Sequence, residues 1–147
     1  PSFLFFFVRS SFCCCCCCRY PMSLFEFDLG ASVGSVAWAP FSSTVFAATT
    51  SDGNVHVFDL SLSKTDPVCV QPVIRKGKLT HVAFNPIHPI IIVGDDKGCV
   101  TSLKLSPNLR INLSKDVNAE DERERLNKLL DSVKELDIQT GKPLAEK

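Results

Sequence analysis

The sequence LTHVAFNPIHPIIIVGDDKGCVTSLKL, residues 79–105, contains two apolar runs, a turn and a third run in which apolar and polar residues alternate. The alternation from Cys99 to Leu105 has a period of two, which is typical of a strand with one buried face. The turn ends in Gly98, and glycine adopts the positive φ that a tight hairpin needs. The stretch therefore predicts a three-stranded antiparallel meander.

The same pattern occurs earlier in the chain. VAWAP at 36–40 matches VAFNP at 82–86 with an offset of 82 − 36 = 46, and VFA at 45–47 matches IIV at 91–93 with the same offset. DG at 52–53 matches KG at 97–98 with an offset of 98 − 53 = 45, so we expect one residue to be lost in that turn. Units of about 40–45 residues with four strands are typical of WD-repeat β-propeller blades. We therefore predict an all-β fold of about two blades, a partial WD-repeat β-propeller.

Other alternating runs complete the predicted organisation. Pro72 lies in an expected outer strand, because proline is tolerated only at a sheet edge. We divide the chain into a low-complexity segment at 1–21, a partial propeller at 22–110, and a C-terminal helix and tail at 111–147. The expected strands are 24–29, 35–38, 45–49, 54–60, 68–74, 81–85, 90–93 and 99–105.

One amphipathic α-helix is expected after the strands, from about Ala119 to Leu136. Asn118 suits the N-cap, and the acids at 120–122 lie in the first turn, where the helix dipole favours negative charge. Apolar residues at i, i+3, i+4, i+7 and i+10 fall on one face. That face either packs on the propeller or binds a partner, and the sequence leaves both open. Its residues are Leu126, Leu129, Leu130, Val133 and Leu136.

The composition argues against two classes of partner. The chain has 147 residues, the length of about one domain, with 16 basic and 16 acidic residues and a formal net charge of zero. A nucleic-acid-binding protein usually presents a basic face, as does a protein that binds anionic membranes. We therefore expect neither nucleic acid nor membrane as a partner.

The eight cysteines do not form a metal-binding or disulfide pattern. Six are consecutive, Cys13–Cys18, and adjacent residues cannot surround a metal as spaced Cys-x-x-Cys pairs do. Cys69 and Cys99 lie at strand positions, where we expect reduced thiols packed as small hydrophobic side chains. Reduced cysteines are typical of a cytosolic compartment.

Residues 1–21 are unlike the rest of the chain. A signal peptide needs an initiator, a basic start, an apolar core and a small-residue cleavage site, whereas this segment starts with proline and Arg9 interrupts its apolar run. The apolar run is also shorter than a spanning helix. Palmitoylation of the clustered cysteines is one alternative. Our preferred hypothesis is intron sequence read into protein, or a mis-set gene start, since Phe, Leu, Ser and Cys have pyrimidine-rich codons.

The repeat region resembles the dynein intermediate chain family. LTHVAFNPIHPIIIVGDDKG at 79–98, followed by LKLSPNLR at 103–110, is similar to the C-terminal propeller of that family and most similar to its axonemal outer-arm members. VGSVAWAPFSSTVFAATTSDGNVHVFDL at 33–60 resembles the preceding blade. The resemblance covers about residues 24–110, continues weakly to about 138, and does not include 1–21.

The resemblance implies a non-catalytic scaffold subunit without cofactor or metal. Its expected partners are dynein heavy chains and a second intermediate chain, with light chains held only through an N-terminal region that this sequence does not contain. The implied location is the axoneme of a cilium or flagellum, in the cytoplasm and cytoskeleton. The alternatives are a cytoplasmic dynein intermediate chain, an unrelated WD-repeat adaptor, and a thiol-based redox or metal protein.

We expect no catalytic residues, because His56, His81 and His88 accompany no nucleophile motif. In WD repeats a histidine commonly bonds the turn aspartate, so His81 is expected to bond Asp96 or Asp95, whereas His56 is expected at a surface or edge. The candidate partner contacts are His88, Leu126, Leu130 and Val133. The structural blade positions are His81, Asp96, Asp52, Gly53, Gly98, Phe58 and Asp59.

Overall fold

The computed structural model describes residues 6–8, 25–109 and 119–140, and this part of the chain contains nine β-strands and one α-helix. The strands form two antiparallel sheets and one short parallel pair, which is consistent with part of a WD-repeat propeller followed by a helix. The elements are β1 Phe6–Val8, β2 Phe25–Phe27, β3 Val33–Trp38, β4 Val45–Thr50, β5 Asn54–Asp59, β6 Cys69–Pro72, β7 Leu79–Phe84, β8 Ile90–Asp95, β9 Val100–Lys104 and α1 Ala119–Thr140.

The first sheet contains four strands in the order β3-β4-β5-β6. Its register pairs Ala48 with Val36 on one side and with His56 on the other, and His56 in turn pairs with Val70. The strand β6 lies at the edge, as its proline requires. This sheet is a complete four-stranded blade.

The second sheet is the meander predicted from residues 79–105. Its strands follow the order β7-β8-β9, with Val82 paired to Val93 and Val93 paired to Thr101. Within the described part of the chain, β9 pairs only with β8, so this sheet has three strands where the first has four.

The registers correct the predicted alignment of the two repeats. In the first sheet, β3 pairs Val36 with Ala48 of β4, so the two partners lie 48 − 36 = 12 positions apart in the sequence. In the second sheet, β7 pairs Val82 with Val93 of β8, and these partners lie 93 − 82 = 11 positions apart. The next strand pair has the same spacing in both sheets, because β4–β5 partners lie 56 − 48 = 8 positions apart and β8–β9 partners lie 101 − 93 = 8 positions apart. The lost residue therefore lies in the loop before β8, and not in the Asp-Lys-Gly turn.

One core lies between the two sheets. Val45, Ala47 and Val57 of the first sheet contact side chains of the second, which include Ile91 and Val93. The backbones also meet directly, because a Cβ added at Gly34 would lie 2.1 Å from the carbonyl oxygen of Leu79. The sheets therefore touch along β3 and β7 without an intervening side chain.

A second core lies on the opposite face of the first sheet, which we call the aromatic face: Val36, Trp38, Phe46, Ala48 and Phe58. The rings of Phe46 and Phe58 stack with centroids 4.6 Å apart, and Phe27 of β2 contacts both rings. Leu129 of α1 packs in the same cluster. The first sheet is therefore covered on both faces.

The N-terminal part of the fold differs from the prediction. The expected strand at 24–29 is shorter, Phe25–Phe27, and it packs on the aromatic face instead of extending a sheet. The strand β1 lies within residues 1–21 and pairs in parallel with β2. The run Cys13–Cys18 lies outside the described residues.

The helix begins at Ala119 as predicted and continues to Thr140, four residues beyond the expected end. Glu124 and Lys128, one turn apart on this helix, form an ion pair with Nζ 2.7 Å from Oε1. Asn118 and residues 141–147 lie outside the described part of the chain.

Candidate functional site

The turn between β4 and β5 contains the most developed polar network among the described residues. Gly53 has a φ of 88°, which fits the predicted turn position. The carboxylate of Asp52 accepts hydrogen bonds from the Thr50 hydroxyl and from Asn54 Nδ2, the latter at 2.6 Å. Burial raises the pKa of Asp52, but these hydrogen bonds outweigh it and hold the pKa below its ordinary value. The carboxylate is therefore stabilised in its charged form.

His56 extends this network into the sheet. It is buried, with 7% of its surface exposed, so the prediction of a surface or edge position was wrong. Its Nε2 lies 3.2 Å from the Thr50 hydroxyl. Because that hydroxyl donates its single proton to Asp52, the ring must donate Nε2–H to Thr50, which leaves Nδ1 without a proton.

Nδ1 of His56 is buried and has no hydrogen-bond partner among the described residues. Burial lowers the pKa of this ring, and the nearby carboxylate of Asp52 opposes the shift only in part. The imidazole is consequently neutral and acts as a structural donor to Thr50. No reacting group contacts it among the described residues, so this arrangement supports a structural role.

The predicted bond between His81 and Asp96 is not formed. His81 is exposed, and Asp96 Oδ1 instead accepts the backbone N–H of Lys78 at 3.1 Å. Asp95 Oδ1 accepts the N–H groups of Lys97 and Cys99 at 2.9 and 2.7 Å. The two acids therefore shape the turn at Gly98, and the described residues of the second sheet contain no counterpart of the side-chain network of the first.

The remaining blade positions lie at the end of β5. Phe58 is buried in the aromatic core, and Asp59 Oδ1 accepts hydrogen bonds from Thr44 Oγ1 at 3.0 Å and from the Ser61 hydroxyl at 2.6 Å. Asp59 thus connects the segment before β4 to the segment after β5. Asp59 directly follows the buried aromatic residue Phe58, as the Trp-Asp pair of the repeat pattern predicts.

Among the candidate partner contacts, His88 lies in the exposed loop between β7 and β8. The side chain of Asn85 holds this loop, because its Oδ1 accepts the N–H groups of Ile87 and His88 at 2.9 and 2.8 Å. The loop borders an open cavity of about 480 Å³. The cavity is lined by His88, Pro89, Ile90, Ser102, Leu103 and Lys104.

The helix residues predicted to contact a partner are partly used within the chain. Leu126 is buried and Leu130 is half-buried, whereas the side chain of Val133 lies outside the described part of the structure. Leu129 makes the contact with the aromatic core, and Lys64 Nζ donates to Ser132 Oγ at 2.9 Å. The stripe includes Leu129, but no sequence signal indicated which surface it covers.

The outer face of the second sheet is not covered by any other element in the described part of the chain. Ile92 and Val100 are 42% and 71% exposed, and His81 and Ala83 are exposed beside them. The register places His81, Ala83 and Ile92 on the same face, opposite the buried Ile91 and Val93. This face is an apolar surface open to a partner.

Within the described residues no group of three or more His, Cys, Asp or Glu side chains is placed to hold a metal ion. Cys69 and Cys99 are free and exposed, so the expectation that they pack as small hydrophobic residues was wrong. No helix in the described part combines the length and apolar character of a membrane span.

Comparisons with known proteins identify relatives of the repeat region, although no family model matches the chain. It is 66% identical over 89 residues to dynein intermediate chain 2, ciliary, of Heliocidaris crassispina, covering 59% of this chain and 13% of that protein. It is 63% identical over 89 residues to the dynein 78 kDa intermediate chain, flagellar outer arm, of Chlamydomonas reinhardtii, covering 60% and 13%.

A mammalian relative gives the same result. Dynein axonemal intermediate chain 1 of Bos taurus is 55% identical over 97 residues, covering 60% of this chain and 14% of that protein. The chain thus spans about 13% of the length of the sea-urchin and algal relatives. Over this region, the chain is homologous to the axonemal dynein intermediate chains of cilia and flagella.

Proposed function

We propose that this chain is part of a non-catalytic scaffold subunit of an axonemal outer-arm dynein. The observation that carries the proposal is the identity of 63% over 89 residues to a flagellar outer-arm intermediate chain. In this role the protein binds dynein heavy chains together with a second intermediate chain, and supports microtubule-based movement of cilia or flagella. It is located in the axoneme, within the cytoplasm and cytoskeleton.

The geometry of the described residues is compatible with a binding role. The polar network of Thr50, Asp52 and His56 is internal to one sheet. The Asp52 carboxylate and the His56 ring are both hydrogen-bonded to the Thr50 hydroxyl, which keeps them in place. The outer face of the second sheet and the loop at His88 offer apolar and polar contacts to a partner. Such surfaces bind protein chains without chemistry at a reacting atom.

The test is affinity purification of the tagged full-length protein from ciliated cells, with partners identified by mass spectrometry. We expect axonemal dynein heavy chains and a second intermediate chain. Recovery of cytoplasmic dynein instead would replace the axonemal proposal, and recovery of neither would reject the dynein role.

Two matched variants extend this experiment to the loop. His88→Ala removes the side chain that borders the cavity, and we expect it to reduce heavy-chain recovery. Lys76→Ala removes an exposed side chain in the loop between β6 and β7, which belongs neither to the lining of the cavity nor to the outer face, and it serves as the control. Equal heavy-chain recovery from both variants would exclude His88 as a contact.

A further inference from the structure

A basic surface lies where the loop between β6 and β7 meets the turn between β8 and β9. The loop has the sequence RKGK at 75–78, and it lies within residues 67–94, which contain no acidic residue. Lys97 joins the loop from the turn, because its Nζ donates a hydrogen bond to the backbone carbonyl oxygen of Lys76 at 2.8 Å. We call this cluster of cations the basic ridge: Arg75, Lys76, Lys78 and Lys97.

The backbone that carries the basic ridge is held by the turns of both sheets. On one side, the N–H groups of Val73 and Ile74 donate to the carbonyl oxygen of Gly53 at 2.9 and 3.3 Å. On the other side, Lys78 N–H donates to the Asp96 carboxylate at 3.1 Å, and Asp96 N–H donates to the Lys78 carbonyl oxygen at 2.9 Å. The cations therefore project from a backbone that is already in place, which lowers the entropy lost when a partner binds.

The cations of the basic ridge lack ionic partners, whereas the neighbouring acids are bonded within the chain. All four cations are exposed, and none of them forms an ion pair with another described residue. Each of the three nearby acids accepts hydrogen bonds from the protein itself. These acids are Asp52, Asp95 and Asp96. The charge that this surface offers to a partner is therefore positive, although the formal net charge of the whole chain is zero.

We propose that the basic ridge binds an acidic segment of a partner protein. Arg75 presents a guanidinium fork that matches the geometry of a carboxylate, and the ammonium groups of Lys76, Lys78 and Lys97 attract further carboxylates. The acids beside the ridge disfavour duplex DNA, which carries a phosphate charge about every 1.7 Å, more than a peptide with spaced carboxylates. The ridge lies at the opposite end of β7 from the loop at His88, so this contact is separate from the proposed heavy-chain contact.

The first experiment titrates the full chain into a fluorescein-labelled decapeptide of glutamate and follows fluorescence anisotropy. We expect saturable binding that weakens as the salt concentration rises, since salt screens exposed charges. A glutamine decapeptide tests whether charge is required, and a short DNA duplex tests whether any polyanion suffices. The absence of saturable binding, equal affinity for the glutamine peptide, or tighter binding of the DNA would each overturn the proposal.

Charge reversal assigns the binding to the basic ridge. Arg75→Glu should weaken binding of the glutamate peptide about fivefold, because it places like charges opposite each other. Arg123→Glu reverses an exposed charge on α1, and this matched control should bind as the wild type does. Equal weakening by the two variants would show that only the net charge of the chain matters, and would overturn the proposal.

A milder substitution guards against a folding defect. Circular dichroism compares the Arg75→Glu chain with the wild type, and if its sheets are lost, Lys78→Gln removes one charge of the ridge without adding an opposite one. We expect weaker peptide binding in this variant as well. Wild-type affinity in a folded Lys78→Gln chain would then reject the ridge as the binding surface.

The second experiment locates the peptide on the chain. Carbodiimide activates the carboxylates of the bound glutamate peptide, and each activated group forms an amide with a lysine amine that it contacts. We expect the linkage at Lys76, Lys78 or Lys97, identified by mass spectrometry after digestion. Linkage concentrated at Lys104 or Lys128, or spread evenly over all lysines, would place the peptide elsewhere and overturn the proposal.

Discussion

The first and second sheets are two copies of one repeat, and their surroundings differ. The first has four strands, is covered on both faces and contains the network of Thr50, Asp52 and His56. The second has three described strands, one covered face, and turn acids that bond to backbone N–H groups. Similar strand sequences therefore form the same local structure, while burial depends on what packs beside them.

The contrast is clearest on neighbouring residues of a single strand. Ile91 is 1% exposed in the core between the sheets, and Ile92 is 42% exposed on the outer face. The pleat of β8 turns successive side chains to opposite faces, so chemically identical residues have different roles. The apolar side chain of Ile92 is available to a partner, whereas that of Ile91 stabilises the sheet pair.

A large effect is expected at the point at which the two sheets touch. Gly34→Ala would place a methyl group 2.1 Å from the carbonyl oxygen of Leu79, so the backbones of β3 and β7 must separate. We expect a loss of about 3 kcal/mol in the free energy of unfolding, the upper range for overpacking. Denaturant unfolding followed by Trp38 fluorescence measures it.

Gly98→Ala is the matched control for that substitution. Nothing lies within 4 Å of a Cβ at Gly98, but its φ of 81° opposes a side chain, so we expect a cost of only about 1 kcal/mol. Equal stability of the Gly34→Ala chain and the wild type would show that the two sheets do not meet at this position.

The second prediction separates the two faces of β8. Ile91→Ala leaves a cavity in the core between the sheets and should cost about 2–4 kcal/mol. Ile92→Ala removes a side chain that is already 42% exposed and should cost less than about 1 kcal/mol. Thermal unfolding followed by circular dichroism measures the midpoint temperature of both variants. Equal midpoint temperatures would contradict the different burial of the two side chains.

The third and smallest effect tests the polar network that the second sheet lacks. Because burial lowers the pKa of His56, the unfolded chain takes up a proton more readily than the folded chain just below the ordinary value of 6.5. The neutral ring therefore makes its full contribution to the free energy of unfolding above pH 6.5, and this contribution declines as the pH falls through the pKa of the folded chain. Urea unfolding at pH values from 8 down to about 5 follows this loss.

His56→Gln removes the titrating ring but keeps an amide donor for Thr50, so we expect a weaker dependence of stability on pH. His81→Gln is the matched control at an exposed histidine, and it should retain the wild-type slope. A wild-type slope in the His56→Gln chain would show that another group causes the pH dependence.

The sequence predicted the strands more reliably than their surroundings. Alternation over residues 99–105 and the glycine turns at 53 and 98 are local signals, and the structure contains the corresponding strands and turns. The alignment of Ile91-Ile92-Val93 failed by one residue, because a run of similar aliphatic residues fits either register. Hydrogen-bond pairing resolves this ambiguity, and residue type does not.

The surroundings of the site residues are set by contacts between elements that are distant in the sequence, and a local sequence pattern does not contain these contacts. His56 has the same parity along β5 as Phe58, which indicates a shared face, but the alternation does not say that β2 and α1 bury that face. Likewise the leucine stripe of α1 predicted an apolar surface and not its location. The bond expected between His81 and Asp96 is not formed, and Asp96 instead accepts the backbone N–H of Lys78.

The two exposed thiols make the open edges of the sheets chemically accessible. Cys69 lies in β6, at the edge of the first sheet, and Cys99 immediately precedes β9, at the edge of the second. Maleimide modifies each thiol at a rate that depends on access, and peptide mass spectrometry distinguishes them from Cys13–Cys18. Labelling the protein alone and within an assembled complex therefore gives a footprint that shows which edge a neighbouring chain protects.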